Sequence, residues 1–326
     1  KRNNIQVNNN SSIFTYDIDN VSSFTVGNDR TLYTAVRDSD KLYSYDPNGK
    51  LIGEYVIGEG YNTNLCIENE YLYCFSYMDQ GMVLKRLNLN TGSVDEYALD
   101  SNITSLIRME VINDKVFFIK WSDDHNDEGH YHDEELEQVK YDEYDDYYYL
   151  GEEAVYYDLN TKTLHPLNIP NVILFAKVNK DKLLFYAYDS TGGYYFMTYD
   201  INKQEFGQKI YNNDIGYTFS FAYDSENDQI IYSKHSTRKL YITGKDNSSV
   251  KAELMSDVVA TSGNDVCYLD GYTYILDNIS GKVSRICNKA ARRSSPRAAS
   301  SLSKSGATRR VSSTVNTTPW RTPDNH

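Results

Sequence analysis

The chain has 326 residues and a net charge of −13, long enough for one large domain with a true core. No run of about 20 apolar residues occurs, which excludes a membrane-spanning helix, and the acidic body repels phosphates, which excludes nucleic acid as a partner of the folded part. Thirty-one Tyr against six Pro suit half-buried strands, where a phenol can reach water at a rim.

Residues 1–12 read as a flexible N-terminus. No signal peptide is visible, and the chain starts at Lys1 rather than Met, as expected of a processed or trimmed end. The first strand is IFTYDI at Ile13–Ile18. Four strand-like segments follow: SFTVG, TLYTAV, KLYSYD and KLIGEYV (Ser23 to Val56). The next group is NLCIEN, YLYCFSY, MVLKRLN and SVDEYAL (Asn64 to Leu99). A third opens with SLIRMEVIND and KVFFIKW and resumes at VYYDL. A fourth runs VILFAKVN, KLLFYAY, YFMTYDI and EFGQKIY (Val172 to Tyr211). A fifth runs FSFAYDSEN, QIIYSKH, KLYITG and VKAELM, and a short sixth runs DVVATSG, DVCYLD, YTYILD and KVSRIC, ending at Cys287.

Within this order one phrase recurs six times: a strand, a polar turn, a strand. Its turn residues are Asp46, Asn88, Asp158, Asp200, Lys245 and Asp277, spaced by 42, 70, 42, 45 and 32. A β-repeat of about 40 residues points to propeller blades. The expected fold is all-β: a single β-propeller of six four-stranded blades over residues 13–287, closed by the N-terminal strand so that no sheet edge is left open. A truncated ring of seven or eight blades is the alternative. Asp, Asn and Gly in the turns suit left-handed backbone. DSENDQ at Asp224–Gln229 reads as such a turn, since it lacks the central Gly and terminal Glu of a calcium loop.

The four Cys are Cys66, Cys74, Cys267 and Cys287. No CxxC occurs, and Cys66 and Cys74 are read as buried thiols. From Asn288 the composition changes. The last 39 residues hold eight Lys/Arg, one Asp and no Tyr, so the preceding residues carry a net −20. This tail, 288–326, reads as disordered, either a basic arm or a non-native extension.

The largest departure from the repeat is the segment 122–153, between the second and third strands of the third blade. Loops this long in a compact domain are functional or disordered. Strands alternate direction, so the loops joining second to third strands share one face with the connections between blades. The insert lies on that face. It holds His125, His130 and His132 among Asp and Glu residues, a candidate set for a divalent metal, with a solvated acidic loop as the alternative. YDEYDDYYY, which includes Tyr147, alternates acid and aromatic and suits a glycan or a cationic ligand, or an aromatic hairpin packed on its neighbour. Trp121, Arg37, Tyr77, Asp79, Asp189, His235 and Arg238 fall on the same face and complete the candidate ligand-binding set. No G-x-S-x-G, H-E-x-x-H or Gly-rich phosphate loop is present.

The repeated unit, as in AVYYDLNTKTLHPL, resembles bacterial β-propellers of the broad TolB-like and quinoprotein-like kind, and propeller domains from surface proteins of Gram-positive anaerobes. The resemblance covers Ile13 to about Cys287. It implies the fold and a secreted or cell-surface location, with the signal peptide absent from this chain. Quinone-dependent members carry Trp-rich repeats, whereas this chain has only Trp121 and Trp320. The expected function is a non-catalytic, monomeric binding module for a protein, peptide or glycan, without a resident cofactor. The alternative is a polysaccharide- or peptide-acting hydrolase or lyase with an axial active site.

Overall fold

The computed structural model describes residues 6–7, 13–79, 81–100, 103–122, 152–169, 171–234, 237–246, 252–260 and 263–288. The insert residues 123–151 and the tail beyond 288 lie outside the described residues. Six antiparallel sheets follow one another along the chain. Blade 1 is β3 (Val21–Val26), β4 (Leu32–Val36), β5 (Lys41–Tyr45) and β6 (Leu51–Val56). Blade 2 is β7 (Tyr61–Glu68), β8 (Tyr71–Met78), β9 (Gly81–Asn88) and β10 (Val94–Ala98). Blade 3 is β11 (Ile103–Ile112), β12 (Lys115–Ser122), β13 (Glu152–Asp158) and β14 (Thr163–Pro166).

Blade 4 is β15 (Val172–Asn179), β16 (Lys182–Tyr188), β17 (Tyr194–Asp200) and β18 (Glu205–Phe206), with β19 (Ile210–Tyr211) also on β17. Blade 5 is β20 (Ser220–Asp224), β21 (Gln229–Lys234), β22 (Lys239–Gly244) and β23 (Ala252–Ser256), on whose outer edge β1 (Gln6–Val7) lies parallel. Blade 6 takes β24 (Val266–Leu269), β25 (Tyr272–Asp277) and β26 (Lys282–Cys287) from the C-terminal side, and β2 (Ile13–Thr15) from the N-terminus. The protein is therefore a six-bladed β-propeller, closed as expected by its N-terminal strand.

Apolar runs such as KLLFYAY follow from this architecture, because each sheet is sandwiched between two others. Leu183, Phe185 and Ala187 pack with Phe117 and Ile119 of blade 3. The intervening Leu184 and Tyr186 pack with Phe221, Ile230 and Tyr232 of blade 5. Strand alternation thus fills two cores at once. Six such cores join all neighbouring blades, and the last sets Tyr16, Val21 and Phe24 against Tyr274, Leu276 and Val283, across the closure.

The turns carry the expected chemistry. Asp46, Asn88, Asp158 and Asp200 each accept two backbone N–H groups from the residues that follow. Asp224 does the same for Glu226 and Asn227, as a turn residue would.

Two strand assignments differ from the expectation. Asp257–Ala260 is a connection, not a strand, so every C-terminal strand moves one place inward. Closure requires it: the outer strand of blade 6 is β2, leaving only three for the C-terminal segment. Asp277 accordingly sits between the second and third strands, on the face opposite Asp46 and Asp158, where it accepts the Val259 N–H. In blade 4, EFGQKIY is interrupted. A Cβ on Gly207 would lie 2.4 Å from Thr198 Oγ1. Gly207 still keeps the β18 register, its N–H bonded to Thr198 O at 2.8 Å, whereas Ile210 and Tyr211 pair one residue out of that register, so one extra residue splits the outer strand into β18 and β19.

Candidate functional site

The axis is lined by the innermost strands, and all six blades meet there. Ser23 of blade 1 accepts the Leu65 N–H at 2.9 Å. Asn64 of blade 2 donates to the Leu106 carbonyl of blade 3 at 3.2 Å. Asn264 of blade 6 crosses the ring to donate to Leu65 and Met109 carbonyls at 3.2 and 3.3 Å, and accepts the Met109 N–H at 3.0 Å.

Arg108 of blade 3 donates to the Gly263 carbonyl of blade 6, to Phe221 O of blade 5 at 3.4 Å, and to Glu110 at 2.5 Å. The side chains of Arg108 and Glu110 are 7% and 13% exposed. Below them Lys177 of blade 4 bonds Val111 O at 2.9 Å and Glu68 at 3.3 Å. Gly263 must be glycine, because a Cβ there would lie 2.4 Å from the Ile107 carbonyl. This network spans the axis from side to side.

The Cys66 thiol donates to Glu110 at 3.9 Å. Burial, and then the Glu110 charge, push that thiol up to about 12, and burial does the same to Cys74. Neither is a nucleophile near neutral pH. All four cysteines are free thiols.

The face carrying the inter-blade connections is built differently. Tyr61 opens β7, and Tyr77 and Met78 close β8. Tyr61 and Tyr77 are cross-strand partners whose rings stand 6.3 Å apart. Tyr61 and Met78 are exposed and Tyr77 is half-buried. The Gly58–Gly60 connection leading into this corner is rigidly held. Fully buried Lys85 donates to Glu59 O at 2.6 Å and lies 3.8 Å from Glu96, while Ser76 also donates to Glu59 O. Gly60 has φ +115, and a Cβ there would collide with Ser76 and the Tyr77 carbonyl. The result is a preorganised aromatic and thioether corner flanked by exposed Glu59 and Asp79.

The remaining expected residues are distributed around the rim. Arg37 is exposed at the end of β4, its N–H bonded to Asn20 O. Arg238 is exposed with φ 51, and its carbonyl accepts the Val258 N–H. Asp189 accepts from the Thr191 hydroxyl and N–H, the Gly193 N–H and the Tyr211 hydroxyl. The Thr191 hydroxyl first, then the Gly193 amide, hold its carboxyl at about 2 against the effect of burial. These residues sit on blades 1, 4 and 5 and are not gathered into one cluster, while Tyr77 of blade 2 reaches blade 3, its hydroxyl accepting the Leu106 N–H at 3.3 Å. Tyr77 and Asp79 alone fall together. Trp121 pairs with Glu152 through backbone at the stem of the insert. The Trp121 side chain, His235, Tyr147 and the metal candidates His125, His130 and His132 lie outside the described residues.

Sequence reasoning missed Tyr61, Met78 and Tyr211. The available signal was position: each stands at a strand end on the chosen face, where alternation no longer requires burial.

No family model matches the chain. No curated protein matches it in sequence. Solved structures do match in fold. The β-propeller domain of Cps50 (Swd1) from Myceliophteria thermophila aligns over 85% of this chain and 99% of its own, with 10% identity and a TM-score of 0.56. A luciferin-regenerating enzyme aligns over 85% of this chain and 95% of its own, with 10% identity and a TM-score of 0.55. TolB from Acinetobacter baumannii aligns over 72% of this chain and 57% of its own, with 12% identity and a TM-score of 0.48. For the Cps50 domain and the luciferin-regenerating enzyme, the likeness is one of fold: a β-propeller, which hosts many unrelated functions. No helix among the described residues is long and apolar enough to cross a membrane.

Proposed function

We propose that the protein is a binding module of a bacterial cell surface, which holds a protein, peptide or glycan ligand on the face that carries the inter-blade connections. The observation that carries this reading is the corner of Tyr61, Tyr77 and Met78 with Glu59 and Asp79. Two phenol rings and a thioether supply apolar contact area at little entropic cost, and the two carboxylates accept hydrogen bonds from sugar hydroxyls or basic side chains. The corner is held by the buried Lys85, so little order is lost on binding. An axial active site fits less well, since the charged groups across the axis are engaged with one another.

The test is a glycan and peptide microarray probed with the full chain and with the Tyr61→Ala/Tyr77→Ala variant. A saturable ligand lost at least about tenfold in the variant, with thermal stability kept, supports the reading. Ligands retained by the variant place the site elsewhere, and turnover of any array glycan or peptide replaces the reading with the hydrolase or lyase one.

A further inference from the structure

The outer strand of a propeller blade is a sheet edge, and edges invite strand pairing unless they are blunted. Five of the six edges here are blunted. β10 carries Asp95 and Glu96. β14 is four residues long and ends in Pro166. β18 has two residues and β2 has three. β23 is covered by β1, with Gln6 opposite Ala252 and Val7 opposite Glu253. β6 is blunted least among the described residues: it has one bulge, opposite Ser44, and a single charge, and it is neither short, closed by Pro nor covered. It runs for six residues, and Leu51, Ile52 and Val56 are 44%, 55% and 60% exposed. Its one charge is Glu54, paired with Lys41 at 3.1 Å.

Backbone polarity completes the picture. The Ile57 N–H donates to Asp40 O at 2.9 Å, so Asp40 and Ile57 form a hydrogen-bonded pair. Antiparallel alternation then makes Lys41–Val56 and Tyr43–Glu54 non-hydrogen-bonded pairs. The N–H and C=O groups of Glu54 and Val56 therefore face away from β5, toward solvent. A bulge opposite Ser44 interrupts the alternation at Ile52, so Leu51, Glu54 and Val56 share one side of the strand and Ile52 lies on the other.

We propose that β6 is a docking edge for an extended basic peptide, which adds a strand to blade 1. Backbone bonds to Glu54 and Val56 hold it, and its apolar residues on that side lie on Val56 and Leu51. The charge selects this occupant. Residues 1–287 carry a net −20, and Glu54 sits in the middle of the edge. A second copy would bring the same net charge and the same Glu54 to the pairing, whereas a lysine-bearing strand meets an attractive field. β1 on β23 shows that this ring accepts an extended segment along a blade edge. The inference does not depend on the ligand of the upper face.

The probe is a fluorescein-labelled peptide, Lys-Val-Thr-Val-Lys-Val, titrated with the full chain and followed by anisotropy. Saturable binding is expected, and the analogue with Pro in place of Thr, which cannot pair, should not bind. Val56→Pro removes one outward N–H while leaving the bonds to β5 and the apolar surface, so it should weaken binding at least about tenfold. Glu54→Lys should weaken it about fivefold or more by repulsion. Should Val56→Pro unfold, Leu51→Lys at an exposed position must produce a comparable loss. The proposal is overturned by no saturable binding of the probe, by a Glu-Val-Thr-Val-Glu-Val peptide binding as tightly, by either edge variant binding within about twofold of the wild type, or by a sedimentation dimer that Val56→Pro dissolves.

Discussion

Replacing Arg108 with Met removes a cation that spans the axis. Its guanidinium is almost wholly buried and serves Glu110, Gly263 O and Phe221 O. Breaking a buried pair by deleting one partner costs about 3–5 kcal/mol, mostly because the other charge is stranded. An exposed pair would cost about 0–1 kcal/mol. At about 2–4 °C per kcal/mol for a domain of this size, the midpoint should fall by about 6–20 °C. The double variant Arg108→Met/Glu110→Gln no longer strands a charge. It should retain only the cost of the unpaired carbonyls, about 1–3 kcal/mol. Urea unfolding followed by circular dichroism measures both, and the cycle isolates the coupling. A buried pair is little screened, so the single-variant loss should persist in 1 M NaCl, on the order of its low-salt value. A loss within about 1 kcal/mol of wild type for Arg108→Met would refute the axial clasp.

Phe185→Ala empties a fully buried position between blades 3 and 4, beside Phe175 at 5.3 Å, and should cost about 3–5 kcal/mol in the same urea assay. Asp189 has a folded carboxyl held at about 2, below the unfolded value of about 3.9, so its contribution is complete above about pH 4 and is lost as pH falls toward 2. The thermal midpoint of Asp189→Asn should therefore vary less over that window than the midpoint of wild type. Burial holds the Cys66 and Cys74 thiols protonated, so iodoacetamide at about pH 8 should leave both unmodified until the chain unfolds, as peptide mass mapping would show.

The architecture was legible because its signals are local. Each side-chain-capped turn lies within four residues of its Asp or Asn, and the alternation that divides Phe117 and Ile119 from Val116 and Phe118 is written along one strand. The N-terminal strand was legible as a segment without a blade of its own. Blade 6 was misread by one strand, since KVSRIC looks like an outer strand until β2 is placed beside it. The break between β18 and β19 is a one-residue register shift against β17, visible only once the pairing is known.

The axial network had no sequence signal. Arg108 finds partners 113 and 155 residues away, and Asn264 finds one 199 residues away, with no local period to announce them. Of the candidate ligand residues, the loop argument reached Tyr77 and Asp79, which the structure brings together. It overlooked Tyr61 and Met78, because pairing across β7 and β8 is visible only once the register is known.

The most direct test of the binding reading is hydrogen–deuterium exchange of the full chain with and without the strongest ligand from the array. The account predicts slowed exchange in residues 57–63 and 77–82, the corner around Tyr61 and Met78, and unchanged exchange at the turns following Asp46, Asn88, Asp158 and Asp200 on the opposite face. Protection confined to those turns, or to the residues lining the axis, would contradict it.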